Sequence, residues 1–293
     1  MAFARNGGVE IYYDTFGALG DPALLLISGL GSQCINYRVE MCERLAAQGY
    51  LVIRYDNRDV GWSTKMDKFS SNGGQEEKSN TGEPASSGHY GLSDMAGDGL
   101  AVLDDLGIER AHVMGTSMGG MIAQTMAIEH PQRLLTLTSV MSTTGDPDVG
   151  RSSSQARQLF MAPRAKDREG YVAQQLASAR VWASPACFDE ERRVAMAVEA
   201  FDRNFCPSGV ARQLGAIQNS GSRTAALASV RLPALVIHGD ADTLIDASGG
   251  RRTAQAIPGA RFVLIEGLGH DLPPQYWDQL IELISAHVNQ VVT

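Results

Sequence analysis

The chain has 293 residues, 44% hydrophobic and 20% charged, and its 25 Lys plus Arg against 33 Asp plus Glu leave a formal net charge of −8. Such a composition fits a packed globular domain, and its acidic balance argues against nucleic acid, whose binding needs clustered Lys and Arg to displace counterions. No stretch approaches the roughly 18 apolar residues of a membrane span and the amino terminus lacks a signal-type apolar core, so no membrane partner and a cytoplasmic location are expected.

In chain order, Val9 to Asp14 alternates with period two and reads as a half-exposed strand. Ala23 to Ile27 and Tyr50 to Tyr55 are compact apolar runs of the kind buried on both faces of a parallel sheet, with a helical pattern of Tyr37, Met41 and Leu45 between them. Residues 65–89 are rich in Gly, Ser and charge, have almost nothing to bury, and read as a flexible polar loop within the core. A helical stripe of Leu92, Met95, Ala96, Leu100, Leu103 and Leu106 follows, then strand-like runs from Ala111 and Leu134 flanking a helix marked by Met118, Ile122 and Met126. Residues 146–228 lack strand-like runs but hold helical stretches over 168–183 and 191–205, so they read as a helical lid inserted into a core made of 1–145 and 229–293. Ala234 to His238 and the run from Arg261 complete the strands, and Trp277, Leu280, Ile281, Ile284 and Val288 form a last helix. Strands alternating with helices predict an α/β fold with a mainly parallel sheet, which binds ligands beyond the carboxyl ends of its strands.

At one such end, Gly115-Thr116-Ser117-Met118-Gly119 matches G-x-S-x-G where a strand gives way to a helix. The turn is so sharp that the flanking glycines nearly collide, and it lifts Ser117 to the edge of the sheet. A serine hydroxyl is a poor nucleophile without a base, and of six histidines His270 follows the last strand in a glycine-bounded loop. His89, His112, His130, His238 and His287 fit structural or solvated roles better. The imidazole needs an acceptor for its far nitrogen, for which Asp240, Asp242, Asp246 and Asp271 are candidates; Asp242, a few residues beyond a strand end, is favoured. The order Ser117, Asp242, His270 is that of the elbow architecture.

On these motifs the sequence resembles an α/β-hydrolase over almost its whole length, which implies an eight-stranded sheet with Ser117 as nucleophile, Asp242 as acid and His270 as base. The family's D-x-R-G-x-G-x-S block stands as Asp56 to Ser63, with Asp59 where glycine is common, which puts the loop's shape in question. The resemblance further implies an oxyanion hole from the backbone amides of Met118 and, in S-G-L-G-S, of Leu30, with Ser28 where histidine is common. The segments R-Y-D-N-R-D-V-G-W-S and G-T-S-M-G-G are most similar to the branch containing aclacinomycin methylesterase, which implies esters of apolar small molecules. Lactonases, perhydrolases and carbon–carbon bond hydrolases share these three residues, and a non-catalytic small-molecule-binding protein is the rival of a different class. Phe160, Met161 and Trp182 are candidate substrate-binding residues of the lid.

No dinucleotide fingerprint is complete and no zinc or calcium pattern occurs, so neither cofactor nor metal is expected. Cys34, Cys42, Cys187 and Cys206 form no C-x-x-C pair and read as reduced thiols. The sequence leaves monomer and homo-oligomer open.

Overall fold

The computed structural model describes residues 1–67 and 90–291. The expected loop over 65–89 therefore lies outside the described residues except at 65–67. There Lys65 Nζ donates to the Gly61 and Ser63 carbonyls, and Met66 is buried.

Eight strands form one sheet: β1 (Ala2–Asn6), β2 (Val9–Phe16), β3 (Ala23–Ile27), β4 (Leu51–Tyr55), β5 (Ala111–Thr116), β6 (Leu134–Val140), β7 (Ala234–Gly239) and β8 (Arg261–Ile265). Their order is β1-β2-β4-β3-β5-β6-β7-β8, with β1/β2 and β2/β4 antiparallel and every other pair parallel. β3 to β7 are buried along their whole length, as continuous apolar runs require. β8, unlike these, is half-exposed because among the described residues it pairs with β7 alone and forms the sheet's edge.

Helices cover both faces. Tyr37, Met41 and Leu45 of the α1 region (Val39–Ala46) pack with Leu280 and Ile284 of the terminal helix (Trp277–Val288) on one face. On the other, Met95 and Leu103 of α2 (Leu92–Asp105) pack with Ile122 and Met126 of α3 (Met118–Glu129). Tyr37 precedes α1; its hydroxyl sits between the Ile27 carbonyl and Thr116 Oγ1 at 3.0 and 3.2 Å, tying β3 to β5 just below the edge where Ser117 emerges. Between β6 and β7 the chain forms α4 (Ser154–Phe160), α5 (Arg168–Trp182), α6 (Glu190–Arg203), α7 (Pro207–Asn219) and α8 (Thr224–Leu227). Among the described residues the remaining helices are α9 (Ser248–Ala256), which packs on β7, and α10, the terminal one.

The buried interior also holds a titrating group remote from the edge loops. His112 on β5 is 1% exposed, with Nδ1 3.0 Å from Thr136 Oγ1. Burial, reinforced by His287 and Arg110, lowers its pKa to about 4 from the ordinary 6.5. Between those values the unfolded chain binds a proton that the folded chain refuses, so stability falls as pH drops through 6.5 and this contribution levels off below about 4. His112→Asn is expected to flatten the pH dependence of the melting temperature over that window. Unaltered slopes would remove His112 as the cause.

Candidate active site

Three loops at the carboxyl edge of the parallel strands supply the chemistry-bearing side chains. Ser117 follows β5 with φ 55° and ψ −121°, a conformation that costs a non-glycine residue of order 1–3 kcal/mol and persists only where its surroundings enforce it. The enforcement is steric. A Cβ on Gly115 would come within 2.0 Å of the Gly119 carbonyl oxygen, and one on Gly119 within 2.0 Å of the Ile27 carbonyl oxygen. The backbone is also pinned by bonds, since Ser117 N donates to the Val140 carbonyl at 3.0 Å and Ser142 Oγ donates to the Ser117 carbonyl at 2.7 Å. Ser117 Oγ has no hydrogen bond among the described residues.

Asp242 follows β7 and His270 follows β8, and the two meet at 2.7 Å between Oδ2 and Nδ1. The other carboxylate oxygen accepts from the Leu244 and Ile245 amides, both at 2.9 Å, which fixes the plane of the group. Burial works to raise the Asp242 pKa, but His270 and hydrogen bonds from His238 and His270 outweigh it and hold it at about 2. An ionised carboxylate can only accept, so His270 Nδ1 carries a hydrogen, and in the neutral imidazole the lone pair lies on Nε2. The backbone amide of His270 donates to the Trp182 carbonyl at 2.5 Å, fastening the histidine loop to the end of α5.

Ser117 and His270 line one cavity of about 370 Å³ under α4 to α7, together with Leu30. No hydrogen bond joins the two side chains among the described residues; contacts of this kind commonly tighten when a substrate is in place. The amides of Leu30 and Met118 likewise have no acceptor among the described residues, and Met118 begins α3, whose N-terminus carries partial positive charge. Phe160 and Trp182 line the cavity. Met161 does not: it caps the end of α4 with 62% of its surface exposed.

The other candidate acids are occupied elsewhere. Asp240 accepts from the Gly267 amide, Asp246 from the Ser248 and Arg151 amides, and Asp271 from Ser184 and the Arg193 guanidinium. Among the described residues no group of His, Cys, Asp or Glu could hold a metal ion.

Several residues support these loops through partnerships that the sequence does not signal. Gln213 on α7 is fully buried; its Oε1 accepts from the Gly31 amide at 2.8 Å and its Nε2 donates to the Arg58 carbonyl at 2.7 Å, bridging the loops after β3 and β4. Asp59 keeps the positive φ, 75°, that glycine would occupy, and its buried carboxylate pairs with Arg212 at 2.6 Å and accepts from Tyr90 at 2.7 Å. Aspartate here adopts the left-handed backbone conformation and adds an anchor for α7. Asp56 similarly holds Arg203 of α6 at 2.7 Å. His238 directs Nε2 at the Ile245 carbonyl, 2.8 Å away, and lies 3.4 Å from Asp242 Oδ2, so it buttresses the aspartate loop from below.

A serine on a strained strand-to-helix turn, with an Asp–His pair across the same cavity on an eight-stranded sheet, marks the α/β hydrolases. The chain belongs to this family, matching the alpha/beta hydrolase fold over residues 22–274. Within it the chain is similar to two rhodomycin D methylesterases. DauP of Streptomyces sp. strain C5 is 32% identical over 294 residues, covering 92% of each chain, and DnrP of Streptomyces peucetius is 32% identical over 304 residues, covering 96% of each. The enol-lactonase from Burkholderia xenovorans LB400 shares the fold with a TM-score of 0.75 at 24% identity, over 98% of this chain and 100% of that one.

Proposed function

We propose that the protein is a serine hydrolase that cleaves carboxylic esters of apolar small molecules through an acyl-enzyme. Ser117 Oγ attacks the ester carbonyl carbon while His270 Nε2 takes its proton, and the Asp242 carboxylate stabilises the imidazolium that forms. The negative charge on the former carbonyl oxygen is received by the Met118 and Leu30 amides, each such donor typically contributing about 3 kcal/mol to the transition state. The carbon–oxygen bond to the alcohol then breaks as His270 returns the proton to the leaving oxygen. Water, deprotonated by the same Nε2, attacks the acyl carbon, releasing the acid and regenerating Ser117.

Residues 146–228 act in this reading as a lid over a core of 1–145 and 229–293, with Phe160 and Trp182 as part of the apolar wall that receives the substrate. The observation that carries the proposal is the strained Ser117 facing the same cavity as His270, whose Nδ1 is held by the buried Asp242. The methylesterase relatives support an ester bond as the target.

A fluorophosphonate probe tests it directly. Mass spectrometry is expected to find one adduct, on the peptide containing Ser117, and none after Ser117→Ala. An unlabelled wild type, or labelling that survives the substitution, would sink the assignment.

A further inference from the structure

The lid side of the cavity has a charge pattern that ester cleavage does not use. In a chain of net charge −8, the charged side chains lining the cavity besides the histidine are Arg38, Arg164, Arg192 and Arg193 against Asp189 and Asp271. Most are accounted for within the protein. Arg38 pairs with Glu199 at 2.6 Å, Arg193 pairs with Asp271, and Asp189 caps α6 by accepting from the Arg192 amide at 3.0 Å, while the Arg192 guanidinium has no carboxylate partner among the described residues and lies over the Trp277 ring, 5.6 Å away.

Of the two cavity arginines without a carboxylate, Arg164 is the one beside the Tyr171, Phe201 and Phe205 rings. It stands in the connection between α4 and α5, half-buried, and no carboxylate lies within ion-pairing distance of it among the described residues. Of its five N–H donors, the described residues engage one, from Nη2 to the Phe160 carbonyl at a long 3.3 Å, while its carbon centre lies 5.8 Å from the Phe160 ring. Burial lowers the guanidinium pKa, which is the signature of a cation removed from water without a compensating anion. Beside it Tyr171 packs on Phe201 and Phe205 with ring centroids 5.8 and 5.3 Å away. An aromatic wall with one underused planar fork fits an apolar molecule that ends in a carboxylate, which a guanidinium binds through two parallel hydrogen bonds.

We infer that Arg164 is a specificity residue that binds a carboxylate carried by the ester substrate, so that the preferred substrates are anionic esters such as hemi-esters of dicarboxylic acids. The inference rests on the ester-hydrolase reading above and adds the charge of the substrate to it.

The test compares p-nitrophenyl hydrogen glutarate with neutral p-nitrophenyl valerate. The wild type is expected to favour the hemi-ester in kcat/KM by about tenfold or more, and Arg164→Gln to erase that ratio chiefly by raising KM for the hemi-ester. Arg164→Lys should recover part of it, and Arg5→Gln, which removes the same charge from the far edge strand, should leave the ratio as in the wild type. A wild type without preference, or a ratio that survives Arg164→Gln, overturns the inference while leaving ester cleavage intact. Calorimetric titration of the Ser117→Ala chain with glutarate decides the matter independently of turnover. Binding that disappears on adding Arg164→Gln supports the carboxylate site even if neither ester is cleaved, in which case the hydrolase reading alone fails. Absent or unchanged binding counts against the site.

Discussion

Ser117→Ala is expected to lower kcat for a p-nitrophenyl ester by roughly 10⁴- to 10⁶-fold, the range seen when the nucleophile of a serine hydrolase is removed. The fold should scarcely register the change. Ser117 Oγ bonds to nothing among the described residues, whereas the bonds that hold the turn run through the backbone amide and carbonyl of the same residue. Alanine keeps those bonds and the φ of 55°. Ser117→Gly goes further, because it also relieves the steric cost of a Cβ in that conformation and should raise stability relative to alanine by about 1 kcal/mol. Activity is therefore lost at the first step of the series Ser, Ala, Gly, and stability is gained only at the second. Turnover by the alanine variant within tenfold of the wild type would show that another group forms the covalent bond.

Much of this architecture is legible in the sequence because the relevant signals are local. Buried parallel strands have to be continuous apolar runs, so β3 to β7 stand out, and a turn that forbids side chains on both flanks has to spell glycine at 115 and 119. The hairpin of β1 and β2 also had a local signal, Asn6-Gly7-Gly8, with Gly7 at a φ of 57°. β1 escapes a reading by hydrophobicity because it is an edge strand with one fully buried residue, Ala4. Tertiary partnerships are another matter. Nothing near Gln213 announces that it joins two loops more than 150 positions earlier, and a fully buried glutamine is explicable only once both of its partners are in view. The same holds for Asp59 and Arg212: departure from glycine reads locally as a threat to the loop, yet the added carboxylate finds its cation on a helix far along the chain.

These partnerships give helices α5 to α7 two different attachments. Arg203, Arg212 and Gln213 fasten the end of α6 and α7 to the loops after β3 and β4, where the Leu30 amide lies. Ser184 and Arg193 fasten the end of α5 and the start of α6 to Asp271, next to His270. Helices α5 to α7 therefore set the relative placement of the Leu30 and His270 loops as well as covering the cavity. Substitutions that loosen either attachment are expected to act on activity through those loops.

Asp242→Asn should lower kcat by about 10⁴-fold although it changes one atom, and the structure gives the reason. One carboxylate oxygen is held by the Leu244 and Ile245 amides, which are donors and accept only an oxygen in return. An asparagine must leave its carbonyl there, which turns its NH₂ toward His270 Nδ1, the atom 2.7 Å from the present oxygen. A donor facing Nδ1 forces the hydrogen of the imidazole to Nε2. The nitrogen aimed into the cavity then has no lone pair with which to take the Ser117 proton, and the wrong tautomer is locked in by the same bonds that orient the native one. Asp242→Asn also removes a carboxylate held at about 2, well below its ordinary 3.8. A group with that shift stabilises the fold above its unfolded-state value and loses the contribution as pH falls toward 2, so the variant should melt with a weaker dependence on pH between those limits. Nitrogen-15 spectra of the two imidazole nitrogens provide the direct check: hydrogen on Nδ1 in the wild type and on Nε2 in the variant. An unchanged tautomer with normal turnover would leave Asp242 as a structural anchor for its loop and transfer the acid's role elsewhere.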